Sequence, residues 1–201
     1  MAEDSVNNSH KSIILHGHSS IQEINPVNLV NFVDMDEIVN KVQQSGLISM
    51  DLADFKPRTT YVELDISEQL WQGLVLKEKD FRAWVKATDW SSYEGQAVYV
   101  HCKVDAIIPT WAYMLVGSNL LPYASDFVIG SKTDLEKQLV LKRIQSEPLE
   151  AYVDGRIIIK GCADIADPAF AMTELVKHLQ PVAKSIMYGE PCSTVPVFKR
   201  R

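Results

Sequence analysis

The sequence predicts an α/β fold: a mostly parallel sheet with flanking helices in three layers, preceded by a small N-terminal helix and an antiparallel strand region. Three observations point there. After Gly95 the apolar runs become short, continuous and β-branched, as in Val98-Tyr99-Val100, Phe127-Val128-Ile129 and Ile157-Ile158-Ile159. Strands buried on both faces of a parallel sheet have this pattern. Helical stretches separate those runs, the alternation that builds βαβ units. Before Gly95 the apolar residues instead alternate with polar ones, the period of strands with one wet face.

Residues 1–34 carry Ser, Asn, His and Gly without a sustained period, and are expected to form a flexible N-terminal extension. His16-Gly17-His18 lies in it, a spacing that polar tails reach easily. A helix is expected next, because Asp34 and Glu37 make a capping box, Met35, Ile38, Val39 and Val42 form one apolar stripe, and Gly46 stops it. Ile48, Met50 and Leu52 then alternate with Ser49, Asp51 and Ala53, and Val62, Leu64 and Ile66 with Glu63 and Asp65. Residues 70–76 are a candidate third strand. Residues 79–88 follow as a short helix burying Phe81, Trp84 and Val85. These elements make residues 35–95 the α+β part of a single α/β domain over residues 35–201, with 96–201 its parallel βαβ part.

In that second part a strand over 97–102 leads to a buried helix that opens at Pro109, a good first-turn residue. A strand over 126–130 leads to a helix opened by the capping box Thr133 to Glu136. A strand over 156–161 leads to a helix capped by Asp167, with Pro168 in its first turn. Residues 182–188 follow Pro181. Proline inside a helix costs about 3 kcal/mol, so the chain should break there and form a fourth strand. That strand would end on Gly189, as its predecessors end on Gly130 and Gly161.

Composition narrows the function classes. A chain of 201 residues with 46% hydrophobic residues can bury a substantial core in one domain. Its net charge of −6 and pI near 5.4 exclude a nucleic-acid surface, which needs a concentrated Lys/Arg face. Lys199-Arg200-Arg201 is the only basic run and is read as a solvated tail. The longest apolar stretch, residues 106–121, falls short of the roughly 20 residues that span a bilayer. The opening residues are acidic and polar where a secretory signal is basic, so a cytoplasmic location is expected, with thiols kept reduced.

The functional signal is the placement of the three cysteines, each where an expected strand runs out: Cys102 after Val100-His101, Cys162 after Lys160-Gly161, and Cys192 after Gly189-Glu190-Pro191. Open α/β sheets do their chemistry at the carboxyl ends of their strands. If one sheet carries all three segments, the thiols meet at one edge. That requires the last strand to climb beside its predecessors, since a continuous helix would carry Cys192 to the opposite edge.

Thiolates are soft donors suited to zinc and to iron–sulfur clusters, so Cys102, Cys162 and Cys192 are candidate metal ligands. Their wide spacing matches no Cys-x-x-Cys signature. A fourth donor is needed for a closed zinc site, and His101 is the first candidate, with Asp105, Asp164 and Glu190 as further ones. His101 and Cys102 face opposite ways unless the strand has ended between them. A second reading makes one cysteine a nucleophile beside a helix N-terminus, with His101 or His178 as base. A third keeps the cysteines as small buried hydrophobes in a non-catalytic interaction protein or homo-oligomer, with the early strands and the Phe81/Trp84 helix as its surface. Phosphate-cradling glycine loops, a nucleophile elbow and His-Glu-x-x-His are all absent from the sequence.

Several stretches resemble an uncharacterised bacterial protein family classed as a domain of unknown function. They are Leu74-Val75-Leu76-Lys77-Glu78-Lys79-Asp80-Phe81-Arg82, Asp105-Ala106-Ile107-Ile108-Pro109-Thr110-Trp111-Ala112-Tyr113-Met114, Lys160-Gly161-Cys162, and residues 185–196 from Ser185 through Tyr188-Gly189-Glu190-Pro191-Cys192 to Pro196. The similarity runs from about Met35 to the C-terminus. The resemblance implies cysteines at 102, 162 and 192 and treats His101 as optional. It also implies a genetic association with iron–sulfur assembly, and hence iron–sulfur assembly proteins as partners.

Overall fold

The computed structural model of the chain describes residues 46–161 and 164–201. The expected N-terminal extension and the helix expected from Asp34 lie outside the described residues. Among the described residues the order is β1 (Leu47–Asp51), β2 (Tyr61–Asp65), α1 (Glu78–Ala87), β3 (Ala97–His101), α2 (Thr110–Leu120) and β4 (Asp126–Ile129). Then come α3 (Lys132–Ser146), β5 (Arg156–Lys160), α4 (Pro168–Leu179), β6 (Ser185–Glu190) and β7 (Ser193–Lys199).

The fold class is α/β, and the strands sort into two sheets rather than one. A four-stranded sheet has the order β1-β5-β6-β7 and a three-stranded sheet the order β2-β3-β4. β1 pairs parallel with β5, β5 with β6, β2 with β3, and β3 with β4. The antiparallel part was expected at β1 and β2; it lies at the other end of the chain, where β7 returns along β6. Alternation reports that one face of a strand is wet and says nothing about its neighbour's direction. β1 and β2 belong to different sheets, and between them lies a 3-10 turn (Leu52–Phe55) capped by Asp51 Oδ1, which accepts from Ala53 N at 2.9 Å.

Other boundaries moved for local reasons. The strand expected over 70–76 is a tight reversal: Gln72 and Gly73 take positive φ of 53° and 68°, and Trp71 bridges Val75. α3 is opened by Ser131 and Asp134, one capping box earlier than Thr133 and Glu136, with Ser131 Oγ accepting from Asp134 N at 3.2 Å. Pro181 does end α4, and β6 runs parallel to β5.

Each sheet has its own apolar cluster. Ile157, Ile159 and Ile186 of the four-stranded sheet pack with Val140 and Ile144 of α3 and with Ala171, Leu175 and Leu179 of α4. Val98 and Val100 of the three-stranded sheet pack with Phe81 and Val85 of α1 and with Ala112, Val116 and Leu120 of α2. The Phe81/Trp84 helix thus turns Phe81 and Val85 into the core, with Trp84 half-buried beside them. Phe81 is fully buried and lies 5.1 Å from Trp84 and 5.8 Å from Trp111 between ring centroids. Trp90 closes the group, donating Nε1–H to Val85 O at 2.8 Å.

Candidate functional site

At the carboxyl edge of the four-stranded sheet, β5 ends on Lys160 and Gly161, and β6 runs on through Glu190 into the turn Pro191-Cys192. Cys192 is exposed, and so is Glu190. Gly161 has φ +91°, and a Cβ there would stand 2.6 Å from Asp51 Oδ1 at the end of β1. Only glycine lets β5 pass this carboxylate so closely. Lys160 Nζ lies 4.0 Å from Asp51 Oδ2. Beyond Gly161, Asp164 accepts from Lys56 Nζ at 2.6 Å, and this contact holds its carboxyl below the ordinary range. Cys162 lies outside the described residues.

An apolar cavity of about 370 Å³ opens beside this edge, between α4 and the sheet. Ile159, Gly161, Pro168, Met172, Tyr188 and Val197 are among its walls. It therefore shares Gly161 with the segment leading to Cys162, and Tyr188 with the strand leading to Cys192.

Cys102 belongs to the other sheet. It continues the Val98-Val100 face of β3, and packs half-buried against the cluster under α1 and α2, with Sγ donating to Val104 O at 3.3 Å. His101 follows the Tyr99 face, which points the opposite way. Its Nε2 meets Glu63 Oε1 at 2.9 Å, and the Tyr99 and His101 rings are 5.6 Å apart. His101 and Cys102 thus serve different faces. Asp105 is exposed beyond them. His178 is also committed, with Nε2 at 2.9 Å from Glu147 O, where it ties α4 to the end of α3.

Around His101 the parallel register builds a polar cluster that composition and spacing did not reveal. Asp65 stands opposite His101, and Glu63 opposite Tyr99. Glu63 takes Lys103 Nζ on Oε2 at 2.8 Å and His101 on Oε1. These two contacts, Lys103 first, hold its carboxyl below the ordinary range and raise Lys103 in return. Burial alone would raise Asp65, but Ser67 and Lys103 donate to it and bring it down. The signal in the sequence was the Glu63/Asp65 alternation, which needed the β2–β3 register to give it a partner.

Among the described residues, no group of three or more His, Cys, Asp or Glu side chains is arranged to hold a metal ion. Among the same residues, no helix is long and apolar enough to cross a membrane. No curated protein and no solved structure matches the chain. The family DUF2480, described as a protein of unknown function, matches residues 36–200, the stretch that holds both sheets and all three cysteines. The chain belongs to the DUF2480 family.

Proposed function

We propose that the carboxyl edge of the four-stranded sheet is a two-thiol site, Cys162 with Cys192, that handles sulfur or a thiophilic metal, and that Cys102 has a separate, packing role. The observation that carries this is the direction and register of β6. It climbs beside β5 with Ile159 opposite Tyr188, so the strands that precede Cys162 and Cys192 in the sequence run side by side in the same direction. Neighbouring strands lie about 4.8 Å apart, so thiols leaving their ends are within reach of one ligand.

The donor chemistry suits zinc or an iron–sulfur cluster, both of which take thiolates. Two cysteines do not close a tetrahedral site, and Glu190 is an exposed carboxylate on the same hairpin. An incomplete set that another protein or a cargo completes fits a transfer or accessory role better than a structural zinc site. Iron–sulfur assembly proteins, in a reducing cytoplasm, are the partner class that goes with this reading.

Metal and sulfide content of anaerobically purified protein, with zinc uptake by the apo form, tests it. Cys162→Ser and Cys192→Ser should each abolish loading, while Cys102→Ser retains it. Wild-type protein that takes up no metal and carries no sulfide, or equal loss in all three variants, rejects it.

A thiol-dependent enzyme is the second reading, favoured by the apolar cavity that begins at the α4 N-terminus and shares Gly161. It expects one thiol to alkylate far faster than the others, and faster still with apolar reagents. Equal slow alkylation of every thiol rejects it.

A further inference from the structure

We propose that a polar cavity at the carboxyl ends of β1, β4 and β5 binds a free α-amino acid. The cavity measures about 340 Å³, at the lower end of the range for small-molecule sites. Its walls come from the stretches that follow these strands: Lys56 after β1, Lys132, Thr133 and Glu136 in the first turns of α3 after β4, and Asp164 with Ala166 after β5. Tyr61, the first residue of β2, completes the wall. Open α/β sheets bind ligands outside the carboxyl ends of their strands, where such loops converge. The inference stands on these groups and not on the thiols.

The walls are braced. Ile165 is buried in the apolar cluster of the four-stranded sheet, and Ala166 N donates to Glu136 Oε1 at 2.6 Å. Lys137 Nζ then meets Asp167 Oδ2 at 2.7 Å, while Asp167 Oδ1 caps α4 by accepting from Phe170 N at 2.9 Å. These contacts hold the loop after β5 against α3. Other polar groups of the wall stay open to a ligand. Lys132 Nζ stands 5.6 Å from the Tyr61 ring centroid and pairs with no carboxylate among the described residues. Lys56 Nζ meets Asp164 Oδ2 at 2.6 Å, but the Asp164 side chain is 98% exposed, and an ion pair so open to water yields readily to a competing partner. Burial first, and then the Glu136 carboxylate, push the Tyr61 phenol up, which keeps its proton available for donation.

Charge selects the occupant. The ammonium groups of Lys56 and Lys132 and the carboxylates of Glu136 and Asp164 share one small space, so a ligand of a single sign is repelled by half of them. A phosphate also lacks its usual seat of free amides, since α3 opens with its own cap: Ser131 Oγ accepts from Asp134 N, and the Asp134 carboxylate accepts from Ser131 N. A ligand whose carboxylate faces the two lysines and the Thr133 and Tyr61 hydroxyls, and whose ammonium faces Glu136 and Asp164, leaves no charge against its like. An α-amino acid carries both groups on a single carbon, which suits a space of this size.

Isothermal titration calorimetry of the full-length protein with each of the common L-amino acids tests this, with inorganic phosphate, succinate and ethylamine as probes of a single sign. At least one amino acid should bind saturably, and the single-sign probes about tenfold more weakly or not at all. Lys132→Met and Glu136→Gln should each weaken the amino acid by about tenfold or more, as the loss of one charged partner does, while Lys132→Arg retains it. Lys132 is exposed, and glutamine at 136 can still accept from Ala166 N, so both variants should fold and melt close to wild type. Cys162→Ser and Cys192→Ser should bind as wild type does, whether or not they load metal. A protein that binds no amino acid saturably overturns the proposal, as does one that takes phosphate or succinate equally well. Binding that Lys132→Met and Glu136→Gln both leave intact, or that either cysteine variant abolishes, places the ligand elsewhere and overturns it too.

Discussion

Gly161→Ala tests the junction where β5 hands the chain to Cys162. Gly161 sits at φ +91°, and an L residue in left-handed backbone costs about 1–2 kcal/mol. The added Cβ would lie 2.6 Å from Asp51 Oδ1, so the carboxylate must move. That oxygen caps the Leu52–Phe55 turn, accepting from Ala53 N at 2.9 Å, and losing such a cap costs about 1 kcal/mol. The sum is roughly 2–3 kcal/mol, which for a domain of this size lowers the melting temperature by roughly 5–10 °C. Gly95→Ala is the reference, since Gly95 has φ +69° and nothing within 4 Å of the added Cβ, leaving the backbone cost alone. Urea denaturation of both variants should show Gly161→Ala less stable by about 1 kcal/mol. Equal stabilities would mean that Asp51 does not brace the strand end, and the argument that β1 and β5 jointly shape this edge would fail.

Other outcomes follow from single contacts. Tyr152 is pushed up to about 12 by burial and by its 2.6 Å hydrogen bond to Glu147. Its folded value lies above the unfolded 10.0, so the associated stability is complete below pH 10 and disappears as pH rises toward 12. Burial also raises Tyr61, Tyr93 and Tyr113, so phenolate absorbance of wild type should show several late tyrosines, and Tyr152→Phe should remove the last of them to titrate. Trp90→Phe leaves Val85 O without its 2.8 Å donor and should cost about 1–3 kcal/mol in chemical denaturation; no measurable change would refute that role. Glu63 is held low by Lys103 and His101, so its contribution is present above the unfolded carboxylate pKa and is lost as pH falls through the folded value. In an NMR titration Lys103→Met should bring the Glu63 carboxyl back toward the ordinary range. An unmoved Glu63 would contradict the assignment.

The parallel grammar was legible because Ile157-Ile158-Ile159 is buried on both faces and Val98 and Val100 are buried with Tyr99 half-buried between them, and Pro181 marked the break that turns the chain back into β6. The division into two sheets was not legible. Which strand a strand joins depends on crossovers between residues far apart, and local period carries no such information. For the same reason β7 went unforeseen: Thr194-Val195-Pro196-Val197 is exposed at most positions and contains a proline, which a central strand would not tolerate. The thiols divide along this line too. Their place after strand ends could be read one strand at a time, whereas the assignment of β3, which precedes Cys102, to a different sheet from β5 and β6 needed the pairing of β3 with β2 and β4.

The proposed pairing of Cys162 with Cys192, apart from Cys102, has a direct chemical test in mild oxidation. Diamide takes two thiols to a disulfide, accepting both electrons and both protons as it becomes the hydrazine. A bridge forms without distortion only when the two Cα atoms stand about 4.4–6.8 Å apart. Adjacent strands are about 4.8 Å apart, and β5 and β6, the strands that precede Cys162 and Cys192 in the sequence, are parallel neighbours. Cys192 stands on an exposed turn that can adjust, whereas Cys102 packs against a different sheet with its Sγ bonded to Val104 O. Peptide mapping after brief oxidation should therefore find a Cys162–Cys192 link within one chain and Cys102 free. Cys102→Ser should leave the yield unchanged. A link through Cys102, or oxidation that yields only chain-to-chain products, would separate the two thiols in space and remove the basis for a shared sulfur or metal site.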